Sequence, residues 1–129
     1  MGGGGRPRGA RAQRVVVSQG DVVWASLPSP VGSGTGNRRP AVVVQGDAFN
    51  ASKLATVVIV PLTGNVRWAA APGNVVIAGR GTGLPKDSVA HVTLINSVDR
   101  SVLTERVGRV SDADLELILN GIGLLLGRE

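Results

Sequence analysis

Cysteine is absent from the 129 residues, and histidine occurs once. The first absence excludes a disulfide framework and any thiolate zinc site, and the second leaves a metal centre without its commonest ligand. No metal or other cofactor is expected. Aromatic residues are nearly as scarce, Trp24, Phe49 and Trp68 being the only three. That is too few for a sheet that grips single-stranded nucleic acid by stacking successive bases on aromatic platforms. The basic, Gly-rich opening lacks the apolar segment of a signal peptide, and no later apolar run approaches the length of a membrane span, about 18 residues. A cytoplasmic protein without membrane contact is expected.

The formal charge is +5, but Arg6, Arg8, Arg11 and Arg14 all fall in the opening "MGGGGRPRGARAQR". Without those four, the 14 Lys+Arg become 10 against 9 Asp+Glu, a net of +1. A polyanion site on the folded part must therefore be a local cluster rather than a global field. Residues 1–14 have nothing to bury and are expected to be a disordered tail, read as an accident of the start site rather than as an RNA contact. Residues 15–129 suffice for one domain with a real core.

Within that domain "GDVVWASLP", from Gly20, reads as a strand with Trp24 in the core, followed by a mobile Gly/Ser loop, "SPVGSGTGNR". "PAVVVQG" (40–46) and "ATVVIVPLTG" (55–64) are continuous apolar runs, as expected of central strands covered on both faces, with "DAFNASK" between them. Pro61 and Gly64 are expected to end the second run. "GNVVIAG" (73–79) and "SVAHVTLI" (88–95) read as further strands joined by the turn-rich "RGTGLPKD". Alternation along the latter places His91 and Thr93 on one face. "SVDRSVLTERVGRV" predicts a helical turn followed by a short edge strand.

The last element predicts a helix. Ser111 caps it in an S-x-x-D box with Asp114, ahead of an apolar stripe of Leu115, Ile118, Leu119, Ile122 and Leu126. Gly121 and Gly123 weaken this helix by up to about 1 kcal/mol each relative to alanine, so packing must hold it. The fold class is mainly β with a C-terminal helix, a small barrel or curled sheet.

Arg38 and Arg39 stand at the mouth of the buried run "PAVVVQG". Pro40 biases Arg39 toward an extended backbone, so its guanidinium can emerge beside the sheet. On these residues alone, a solvated strand end is an equally simple reading.

The order "GDVVWASL", Gly/Ser loop, "RRPAVVVQGD", "VVIVPLTGN", "GLPKDSVAHVTLI" resembles the MazF/PemK-type toxins of bacterial toxin–antitoxin systems, over about residues 19–127. The resemblance implies an SH3-like barrel of the MazF/PemK/CcdB type. It also implies a homodimeric, metal-independent endoribonuclease that cuts single-stranded RNA, and a labile antitoxin whose C-terminal segment covers the RNA site. It further implies an essential arginine before the proline of the second strand, here Arg39, and an essential hydroxyl at the end of the third, here Thr63 in "PLTG".

These residue types suit metal-free cleavage, in which the 2′-hydroxyl attacks the neighbouring phosphate to give a 2′,3′-cyclic phosphate and a 5′-hydroxyl. A guanidinium stabilises charge on the phosphorane and is a poor proton donor, and a threonine hydroxyl can donate to a nonbridging oxygen. His91 is the candidate base, since a free imidazole titrates near pH 6.5, although a lone strand histidine is more often a packed residue. Some relatives carry a basic residue at its place followed two positions later by an acid. That later position is Thr93 here, which argues against a carboxylate base there.

Asp21 and Asp87 read as acceptors for turn amides. Ser33, Thr35 and Asn37 in one loop, Arg67 and Trp68 in another, with Arg38 and Lys86, are the candidate RNA contacts. A gyrase-poisoning toxin of the same fold is the alternative, but such toxins use an aromatic-containing C-terminus and this chain ends "ILNGIGLLLGRE". A noncatalytic RNA-binding barrel is the third reading. The apolar strands and the C-terminal stripe predict a two-fold homodimer.

Overall fold

A computed structural model describes residues 15–27 and 37–128. The tail 1–14 and most of the Gly/Ser loop, including Ser33 and Thr35, lie outside the described residues, as does the side chain of Asn37. Among the described residues, seven strands form one curled antiparallel sheet: β1 (Asp21–Leu27), β2 (Asn37–Val43), β3 (Thr56–Thr63), β4 (Val75–Ile77), β5 (Ser88–Ala90), β6 (Asn96–Asp99) and β7 (Leu103–Arg109). Their order is β4-β5-β3-β2-β1-β7, with β6 also paired to β3. The short helix α1 (Asp47–Asn50) links β2 to β3, and α2 (Asp112–Leu125) closes the chain. The expected fold class, mainly β with a C-terminal helix, is what forms.

Both faces of the central strands are covered. Val22, Val42, Val60 and Leu62 pack with Ile77, Val110 and Ile118 on the α2 side. Val23, Ala41, Val43, Val57, Ile59 and Leu103 form a second core on the opposite face. The register explains the sorting, because Val22 pairs with Val42 while Val23 pairs with Ala41, so neighbours across the ladder share a face.

The curl is made at β3. Its first half pairs with β6, from Thr56↔Asp99 to Ile59↔Asn96. Its last two residues pair with β5, Leu62↔Ala90 and Thr63↔Val89. Pro61 therefore does not end the strand. Its carbonyl, and with it the side of the missing N–H, faces the gap where β3 changes partner, and that carbonyl accepts from His91 N–H at 2.9 Å.

The change of partner also corrects the single strand expected over 88–95. The chain leaves β5 at Ala90, makes a 3₁₀ turn at Val92–Leu94 and rejoins β3 as β6, so His91 and Thr93 share no strand face. The strand expected over 73–79 is confined to Val75–Ile77. The expected helical turn is present at Arg100–Val102, and the edge strand after it, β7, is seven residues long.

Ser111 accepts from Asp114 N–H at 3.0 Å, so the predicted cap forms. Leu115, Ile118, Leu119 and Ile122 pack into the core, but Leu126 lies beyond the last turn at 68 % exposure. Asp21 is buried, accepting from Ser18 N–H at 2.8 Å and pairing with Arg106 Nε at 3.1 Å. Asp87 accepts from Gly79 N–H at 2.9 Å. Both acids serve loop backbone, as expected.

Gly121 has a packing reason. A Cβ there would run into the carbonyl oxygen of Gly73, whose φ of +85° itself suits only glycine. Gly121→Ala should therefore destabilise the fold by about 1 to 3 kcal/mol, despite adding about 1 kcal/mol of helix propensity. The urea midpoint at constant m-value measures the net effect.

Candidate active site

β2 and β3 pair Val43↔Ile59, Val42↔Val60 and Ala41↔Pro61. Carried two residues further, that register sets Arg39 opposite Thr63 on the same face, and the His91 to Pro61 bond brings the imidazole alongside from the other edge of β3. The three side chains line one cleft of about 680 Å³, walled further by Leu27, Trp68, Leu94 and Asn96. Three residues far apart in sequence thus meet through two ladder registers.

Thr63 Oγ1 accepts from Asn65 N–H at 3.1 Å, and its own hydrogen finds no acceptor among the described residues, so it remains available to donate. Arg39 is exposed and has no carboxylate partner among the described residues. Among those residues its charge is unpaired and open to a ligand. Trp68, 39 % exposed, forms a cleft wall rather than core filler, its ring stacked on His91 at 4.9 Å between centroids and 30° between planes. The Arg67 guanidinium lies 5.6 Å from the same indole.

Arg38 points to the opposite face of β2. Its guanidinium lies 4.5 Å over the Trp24 ring and pairs with Glu105 at 2.8 Å. Both partners of that pair are about half exposed, so it contributes at most about 1 kcal/mol. The charge expected to be free for phosphate is thus partly neutralised, and Trp24, expected in the core, is only partly buried beneath it. With Lys86 these residues border a second hollow of about 320 Å³, and Arg39 reaches its rim. Lys86 lies over Gly64, its Cε 3.4 Å from where a Cβ would stand.

Thr93 does not line the main cleft, whereas Leu94, Asn96, Ser97 and Val98 do. Recognising β6 as a separate strand would have placed them there. Among the described residues, no group of three or more His, Asp or Glu side chains gathers as a metal site, and no helix is long and apolar enough to cross a membrane.

The family profile described as PemK-like, MazF-like toxin of type II toxin–antitoxin system matches residues 18–126. The chain belongs to this family. Endoribonuclease MazF6 of Mycobacterium tuberculosis is 41 % identical over 112 residues, covering 87 % of this chain and 98 % of the relative. Endoribonuclease MazF2 of Mycobacterium bovis matches to the same extent. Among solved structures, MazF in a MazE–MazF crystal from Deinococcus radiodurans superposes with a TM-score of 0.73 at 25 % identity, covering 89 % of this chain and 99 % of that one. The MazF-family assignment thus rests on both sequence and fold. It favours the endoribonuclease reading over the gyrase-poisoning one, and the cleft between β2, β3 and the turn after β5 is lined by Arg39, Thr63 and His91.

Proposed function

We propose that this cleft cuts single-stranded RNA without a metal ion, using the substrate's own 2′-hydroxyl as the nucleophile. The observation that carries the reading is the placement of Arg39, Thr63 and His91 around one open cavity. Arg39 holds the scissile phosphate through its planar fork and offsets the extra charge of the phosphorane, and Thr63 donates to a nonbridging oxygen. His91 takes the 2′-hydroxyl proton as the new 2′-O–P bond forms. The P–O5′ bond breaks, and the leaving oxygen takes a proton from water or from a cleft donor. Arg67 and Lys86 add backbone phosphate contacts. The loop around Ser33, Thr35 and Asn37, with Trp68, reads bases splayed from the strand.

The proposed setting is the cytoplasm, where RNA and an antitoxin meet this chain. The solved Deinococcus relative is a MazE–MazF assembly, which supports an antitoxin as partner. The two strand faces are already covered within the chain, so a two-fold homodimer must rest on other surface. Val76, Leu117 and Leu124, each more than half exposed, supply an apolar patch along β4 and α2.

The test is incubation of the purified protein with a long RNA in excess EDTA. Defined cuts bearing 2′,3′-cyclic phosphate and 5′-hydroxyl ends are expected. Thr63→Val should slow them on the order of 100-fold, the effect of losing one oxyanion donor. Intact RNA with inhibited gyrase, or RNA bound but uncut, would overturn the proposal.

A further inference from the structure

Asn74 lies outside the cleft lining, yet its amide ties together the two segments that carry the Trp68–His91 stack. Its Nδ2 donates to the Trp68 carbonyl at 2.9 Å, and its Oδ1 accepts from Val92 N–H, the amide immediately after His91, also at 2.9 Å. One side chain thus bonds to the backbone of both segments. Each segment is otherwise a short 3₁₀ turn, Val66–Ala70 and Val92–Leu94, a form whose hydrogen-bond geometry holds poorly unless something outside fixes it.

His91 itself has little to fix its ring. Its backbone N–H bonds Pro61, but among the described residues the Trp68 indole is the one side chain in ring contact with the imidazole. Asn74 is in turn anchored from below. Its own N–H donates to Ala71 carbonyl at 3.1 Å, and the preceding Gly73 packs against Gly121 of α2.

We propose that Asn74 is a positioning residue, holding the imidazole of His91 against Trp68 and so aiming it at the phosphate site. It touches neither substrate nor reacting atoms and acts through the two backbones it bridges. The part of this inference that concerns catalysis rests on the reading of His91 as the base; the part that concerns geometry does not.

The chain has one histidine and two tryptophans, so in a Trp24→Phe background all tryptophan emission comes from Trp68, the indole stacked on His91. A histidine ring held against an indole quenches its emission, so at one fixed pH His91→Gln should raise the emission of Trp68, and that rise measures the quenching by the stack.

Asn74→Ala should reduce that quenching at least threefold and lower kcat about tenfold, with KM changed less than twofold. Asn74→Asp keeps the acceptor for Val92 N–H but loses the donor to Trp68, and should fall between the two. Far-UV circular dichroism shows that each variant is folded, and Asn74→Asp carries the test if Asn74→Ala is not. A folded variant that retains the full quenching would overturn the inference. If the quenching is lost but kcat is unchanged, the geometric part stands and the base reading of His91 fails. If the wild type cuts no RNA, the proposed function fails while the fluorescence result still decides the role of Asn74.

Discussion

Replacing Arg39 with alanine should lower the rate of RNA cleavage on the order of 1000-fold while leaving the melting temperature within about 2 °C of the parent. The rate effect follows from the loss of a charge-assisted donor pair aimed at a phosphorane, where even one oxyanion donor is worth about 2.7 to 4 kcal/mol of barrier. The small thermal effect follows from the structure. Arg39 is exposed, and nothing among the described residues depends on its charge. Arg39→Lys separates fork from charge, since an ammonium supplies the cation without two parallel N–H groups, and should recover only a part of the loss. Single-turnover cleavage of a short RNA measures all three proteins. An Arg39→Ala protein within tenfold of the parent would remove the cleft from the mechanism.

The second large effect concerns stability and lies away from the cleft. Arg100 is only 8 % exposed, and its guanidinium is spent on backbone carbonyls. Nε donates to Leu54 at 2.7 Å, and Nη2 donates to Asn50 at 2.9 Å and to Phe49 at 3.3 Å. Its N–H also donates to Ala55 carbonyl at 2.9 Å, so one residue ties the link through α1 to the turn before β7. Truncation to alanine strips the charge-assisted donor from these carbonyls. Hydrogen bonds to charged groups are worth about 1.5 to 3 kcal/mol each, so Arg100→Ala should cost about 3 kcal/mol or more. Arg100→Lys should restore less than half, because a single ammonium cannot reach the same span. Urea denaturation reads both, and a cost below 1 kcal/mol for alanine would show that the link is held by other contacts.

The central strands were legible because both runs are continuously apolar, and such runs fit only strands covered on two faces. The C-terminal helix was legible from its cap and stripe. The break after Ala90 was not, since Val92 and Leu94 continue the apolar alternation through a 3₁₀ turn and a period-two pattern cannot register a change of partner strand. In the cleft, Arg39 and Thr63 stood out through family resemblance, and their meeting depends on a register that no local signal specifies. The partners of Arg38 were invisible for a similar reason: Glu105 is 67 residues away in sequence and arrives only because β7 lies beside β1. The two segments of the Trp68–His91 stack are likewise bridged by Asn74, whose residue type gives no sign of that link until the two turns are brought together.

In the proposed reaction Arg39 and Thr63 gather around one phosphodiester while the substrate supplies its own nucleophile, so the decisive substrate is an RNA carrying a single 2′-deoxy residue on the 5′ side of the mapped cut site, incubated with the protein in EDTA. Binding with no cleavage at that bond, beside normal cutting of the all-ribose strand, is the predicted result. Cleavage of the deoxy-substituted bond at a comparable rate would contradict it.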